Sequence, residues 1–164
     1  MSPWRAGLLC AYGLVLLATQ PGCPRAEPKD AAAEPAPGTP NGAARTAHYV
    51  LGVLGTRDCT AAGAVAPADG TRRIGVELLL EPTSELQVPA NPYYARLLDE
   101  HQLVYEATLG GCGPPLSPNL LRRGQVARGY VVFDVPRASR NFTLLYMPEL
   151  VGAAKEEASI TLRP

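Results

Sequence analysis

The chain has 164 residues, room for one domain and a stretch of extra chain. Fifteen Lys and Arg balance fifteen Asp and Glu, giving a formal net charge of zero with both signs spread along the sequence, which excludes a nucleic-acid surface and a basic membrane-binding patch. Apolar residues make up 46% of the chain, ample for one packed core, while the helix formers Lys and Gln are scarce, so the composition leans towards β structure.

The N-terminus has the plan of an export signal. Arg5 supplies a short positive region, and Ala6 to Ala18 form an apolar run of signal-peptide length. A membrane-spanning helix needs about 20 apolar residues, and Gln20 and Pro21 cut this run short. Leader peptidase prefers small residues at −3 and −1, and a cut before Cys23 places Gln20 at −3. Lipoprotein signal peptidase needs a small residue before an acylated cysteine, which Gly22-Cys23 provides, so the stretch resembles a lipobox. Gln20 and Pro21 depart from its usual pattern. The expected anatomy is therefore a lipoprotein signal peptide over 1–22 with lipidation at Cys23, and free secretion is the alternative.

Residues 23–46 contain five prolines, several alanines and almost no large apolar side chains. Such a segment cannot offset the entropy of ordering and reads as a linker. The folded domain is expected over 47–164.

Within that domain the apolar residues alternate. AHYVLGVLG opens the series; then Ile74, Val76, Leu78 and Leu80 share one face, opposite Gly75, Glu77 and Leu79. Ala95 and Leu97 precede the polar turn DEHQ, and Leu103, Tyr105 and Ala107 return from it. Val131, Phe133 and Val135 alternate with Tyr130, Val132 and Asp134; Phe142, Leu144 and Tyr146 follow, then Ile160 and Leu162. VGAAKEE reads as a short helix or a loop. The fold class is all-β, an antiparallel sandwich of about seven strands with Gly, Pro, Asp and Asn turns between them.

Four cysteines have different fates. Cys10 leaves with the signal peptide and Cys23 takes the lipid, which leaves Cys59 and Cys112 as a disulfide pair in an oxidising compartment. The bridge closes a loop of about 54 residues, worth ~4 kcal/mol in the chain-entropy account. A metal or redox pair is the rival reading, but it lacks C-x-x-C spacing and nearby histidines.

The combination NPYYARLLDEHQLVY, GCGPPL, LLRRGQVARGYVVFDVP and LLYMP resembles a bacterial extracellular immunoglobulin-like family of unknown function. That family is related in fold to the small secreted immunoprotective antigens of mycobacteria. Leu97, Asp99 and Tyr105 match its first motif, and Gly124, Gly129, Val131, Phe133, Val135 and Pro136 match its second. Ala95 stands where an aromatic is usual and Gln102 where a turn glycine is expected. The resemblance covers about residues 91–148. It implies an immunoglobulin-like sandwich in a lipoprotein or secreted protein, and supplies no catalytic residues.

Chemistry-bearing residues are few. Asp99-Glu100-His101 offers carboxylate and imidazole, but neighbours on a hairpin turn point apart, so a solvated turn capped by Asp99 is expected. His48 reads as a surface residue. There is no G-x-S-x-G, the GGCG stretch is not followed by Lys-Ser/Thr, and soft ligands are too few for a copper carrier. Arg122-Arg123 could meet an anion but reads as solvated, and the sequon at Asn141 matters only in a eukaryotic secretory route. Tyr93, Tyr94, Tyr105 and Tyr130 fall near strand ends or on outward positions; of these Tyr93, Tyr94 and Tyr130 are candidates for a contact surface. The expectation is a non-enzymatic binding module without metal or cofactor, held at the envelope by its lipid. Its partner would be another envelope protein, a polymer or a small ligand. A freely secreted structural or stress-protective protein is the alternative, and a metal-dependent or hydrolytic enzyme on the same sandwich is a more distant one.

Overall fold

A computed structural model describes residues 41–59 and 66–162. The expected signal peptide with Cys10, the expected lipidation position Cys23 and most of the expected linker lie outside them. The described chain forms ten strands and one 3-10 turn (Pro92–Tyr94), with no α-helix among the described residues. The strands are β1 (Gly42–Arg45), β2 (Tyr49–Asp58), β3 (Thr71–Pro82), β4 (Val88–Ala90), β5 (Ala95–Asp99), β6 (Val104–Thr108), β7 (Asn119–Leu121), β8 (Ala127–Pro136), β9 (Phe142–Tyr146) and β10 (Ala158–Leu162).

Every ladder between them is antiparallel. The hydrogen-bonded order β1-β2-β3-β8-β6-β5-β9-β10 folds into two layers, with β6 as the joint. Its first half pairs with β5, through Leu97↔Tyr105, and its last two residues pair with β8. β4 and β7 form a separate ribbon that adds Val88, Ala90 and Leu121 to the same core. The excess over seven strands comes from this ribbon and from β1.

β1 corrects the linker boundary at residue 46. Gly42 to Arg45 pair with Val53 to Val50, because a backbone ladder needs no large side chains. A Cβ on Gly42 would come within 2.8 Å of Ile160 Cγ2, so the glycine lets β1 lie close to β10. Residues 149–157 make a turn and loop rather than a helix.

The period-two alternation sorts the core. Ile74, Val76, Leu78 and Leu80 of β3, Val131, Phe133 and Val135 of β8, Phe142, Leu144 and Tyr146 of β9, and Ile160 and Leu162 of β10 are all buried between the layers. Leu103 departs from its expected inward place and is exposed, because β6 begins only at Val104. Gln102 explains the shift: its φ of +64° turns the chain in the left-handed region where a glycine was expected. That conformation costs a non-glycine residue roughly 1 kcal/mol. Gly124 takes φ +82°, Pro136 ends β8, and a Cβ on Gly129 would meet the Leu116 backbone nitrogen at 2.5 Å.

Two buried tyrosines fasten the layers. The Tyr49 hydroxyl lies 3.0 Å from the Tyr146 carbonyl and 3.2 Å from that of Glu156. Tyr146 donates to the Pro89 carbonyl (2.9 Å) and accepts from the Asn91 N–H (3.1 Å), while its ring meets Tyr49 and Tyr94 edge-on. Burial first, and then the neighbouring tyrosine, push both phenols well above their ordinary value.

Tyr146→Phe keeps the ring but leaves the Asn91 N–H and the Pro89 carbonyl unpaired. A loss of about 1–3 kcal/mol is expected in urea unfolding at pH 7. A phenol whose folded pKa is raised stabilises fully below its unfolded value near ~10 and loses that contribution as pH rises beyond it. The gap between wild type and variant should therefore narrow above pH ~10.

Candidate functional site

The inner faces of β2 and β3 continue past the end of the apolar core, in β2 across a register shift between Val53 and Gly55 that moves the inward side chains from odd to even positions. In β2, Asp58 sits opposite Ile74 and Thr56 opposite Val76. Arg72, two residues before Ile74, shares its face. From the other layer, Phe142 and Leu162 pair with one another, and Arg140 stands two residues before Phe142. Here the layers splay into an open cleft of about 290 Å³, bordered by Thr56, Asp58, Arg72, Ile74, Arg140 and Phe142, with Leu162 and Arg57 completing it. This is the small end of the range for ligand pockets.

Its floor is apolar and its rim charged. Ile74, Phe142 and Leu162 are each more than nine-tenths buried and line the bottom. Arg72 donates from Nη1 to Asp58 Oδ1 (3.1 Å) and from Nη2 to the Ser139 carbonyl (3.3 Å), while its Nε is buried without an acceptor. Arg140 is exposed and makes no ion pair among the described residues. The Arg57 guanidinium turns to the outer face, where it bonds Cys112 Sγ (3.3 Å) and the Gly113 carbonyl (3.0 Å) and lies 4.3 Å from the Tyr130 ring centroid.

That outer face is built around the disulfide between Cys59 and Cys112. A Cβ on Gly75 would approach both sulfurs within 2.7 Å, so the bridge lies flush on β3 because position 75 has no side chain. Gly110 and Gly111, both at positive φ, carry the loop from the end of β6 to Cys112. Beside it, Arg73 and Asp134 form a two-pronged pair of 2.7 and 2.8 Å, which holds the guanidinium charged. The GGCG stretch thus has a covering role on the sheet.

Asp99 caps its turn as expected, but from a buried position rather than in solvent. Its side chain is buried: Oδ1 accepts the N–H groups of His101 and Leu103, and Oδ2 accepts the Tyr105 hydroxyl at 2.7 Å and lies 3.4 Å from Ser139 Oγ. Only Glu100 and His101 of that cluster are in solvent. Burial alone would raise the Asp99 carboxyl, but the hydrogen bonds from Tyr105, Leu103 and His101 together hold it below the usual carboxylate range. His48 is half-buried, with Nδ1 at 3.0 Å from Ser84 Oγ and Nε2 at 3.8 Å from Glu156, a partner brought from 108 residues away. Among the described residues, no group of three His, Cys, Asp or Glu side chains could hold a metal ion.

The tyrosines do not converge. Tyr93 is exposed and Tyr94 leans on Tyr146, and both border a groove on the second layer with Arg96, Met147 and Lys155. Tyr130 faces outward on the first layer, beside Arg57 and Glu77. Arg123 pairs with Glu85 in solvent. Arg72 and Arg140, which border the cleft, belong to no motif in the sequence, although a signal for them is there. Each is a charge that continues the inward-facing parity of an apolar run.

No family model matches the chain, and neither does any curated protein sequence. Solved structures share its fold. The Bacillus subtilis protein ycdA, a proposed lipoprotein, superposes with a TM-score of 0.61 at 13% identity; the match covers 73% of this chain but only 37% of ycdA. A functionally unknown protein of Listeria monocytogenes EGD-e gives 0.55 at 11% identity, covering 76% and 82% of the two chains. MPT63, a secreted protein of Mycobacterium tuberculosis, stands at 0.45 and 17%, covering 71% and 84%. The fold is an antiparallel β-sandwich found in bacterial proteins, and identities this low speak for fold alone.

Asp99→Asn should destabilise the domain at pH 7. A depressed carboxyl stabilises above its unfolded pKa of ~3.9 and loses that contribution as pH falls through the folded value. The difference between wild type and variant, followed by urea midpoints, should accordingly shrink below pH ~4.

Proposed function

We propose that this chain is an exported, non-enzymatic binding domain, held at the envelope through a lipid on Cys23, that keeps a small ligand in the cleft between its layers. The cleft carries the reading. It has an apolar floor drawn from both layers and a charged rim, on a frame fixed by two buried hydroxyls and a disulfide. The acid and base candidates support a binding role over catalysis, because the carboxylate of Asp99 and the ring of His48 already serve local structure. The N-terminal pattern supports export, and the likeness to ycdA is in keeping with it.

Two measurements test the two halves. Wild type should fractionate with membranes and be released by detergent, while Cys23→Ser should appear in the soluble exported fraction; wild type found free in the medium overturns the anchor. Thr56 is exposed at the cleft edge, so Thr56→Trp should plug the cleft without disturbing the core. In a thermal-shift screen of small charged and neutral compounds, hits should raise the Tm of wild type and leave Thr56→Trp unmoved. Hits that shift both equally, or none at all, overturn the cleft as the site.

A further inference from the structure

From the structure we infer that the ligand of the cleft is a small amphiphilic anion, a carboxylate or phosphate-monoester head on a short apolar body. This rests on the binding reading above and names its ligand class.

The rim holds two guanidinium groups, Arg72 and Arg140, against one carboxylate, Asp58. Arg72 is preset. Its side chain is 24% exposed and is gripped by Asp58 and the Ser139 carbonyl. Of the five N–H donors of an arginine, one goes to each of these partners and Nε is buried, which leaves two terminal N–H groups uncommitted. The Asp58 side chain is 67% exposed, so its pairing is screened by water and weak. An arriving oxyanion can share Arg72 without dislodging a strong partner. Arg140, across the cleft and two residues before β9 begins, supplies the second cation and has no competing carboxylate among the described residues.

The floor decides the rest. Ile74, Phe142 and Leu162 offer no hydrogen-bond donor or acceptor, so a bare hydrated ion would leave this surface unused. A head bound at the rim and an aryl or short acyl body on the floor satisfy both chemistries. A cation would meet two positive groups, and a neutral compound would forgo the charge-assisted bonds.

Calorimetric titration of the full exported chain with benzoate, phenyl phosphate, benzamide and inorganic phosphate tests this. The two aryl anions should bind at least about tenfold more tightly than benzamide, the scale of one charge-assisted hydrogen bond. Their affinity should weaken with added salt. Arg140→Gln, at an exposed position, should remove most of that advantage. Benzamide matching benzoate, or Arg140→Gln without effect, overturns the anion and leaves the small-ligand reading standing. Inorganic phosphate matching phenyl phosphate overturns the apolar body. No binding of any of the four probes overturns the inference, and the wider screen against Thr56→Trp then decides whether the cleft binds anything.

Discussion

The sandwich depends on the requirement that polar groups buried between its layers find partners. Tyr49 and Tyr146 meet it by turning their hydroxyls to buried backbone groups. A hydroxyl from β2 reaches the carbonyls of Tyr146 and Glu156 in the opposite layer, and the hydroxyl of Tyr146 serves the backbone on either side of Ala90. Apolar contact alone would let the layers slide, because dispersion has little directional preference. Two phenols at fixed depth set the register between β2, β9 and the β4–β7 ribbon.

The other end of the sandwich is held from outside. There the chain leaves β6, crosses the outer face of β3 over a position without a side chain, and returns to bond the edge of β8 at Tyr130. The disulfide and the Arg73–Asp134 pair cover that face, and so Val132, on the outward parity of β8, is buried. With the outer face covered and the core fastened by the tyrosines, the splayed ends of β2, β3, β9 and β10 form an open recess. The cleft is a by-product of where the ladders stop, and its charge comes from which residues occupy the next inward positions.

Much of this was legible in the sequence. Alternation over Ile74–Leu80, Val131–Val135 and Phe142–Tyr146 identified the inward faces, since a pleated strand buried on one side leaves no other pattern. The cysteines left for Cys59 and Cys112 pointed to a bridge, and Asp99 to a turn. The candidate site was less legible. The tyrosines fall on outward positions of the sequence pattern, yet Tyr93 and Tyr130 lie on opposite layers. Arg72 and Arg140 are 68 positions apart and become neighbours only when β3 and β9 stack in different layers of the same sandwich.

By itself the sequence determined seven of the ten strands, most of the faces they bury and the turn at Gly124, all set by spacing within a few residues. Tertiary structure decided the partners of the Tyr49 and Tyr146 hydroxyls, the burial of Asp99 beneath Tyr105 and Ser139, the cover over Gly75, and the joining of two arginines over an apolar floor. Those depend on how the layers stack and where β6 passes from one to the other, and side-chain periodicity along a strand carries no information about the strand that will face it.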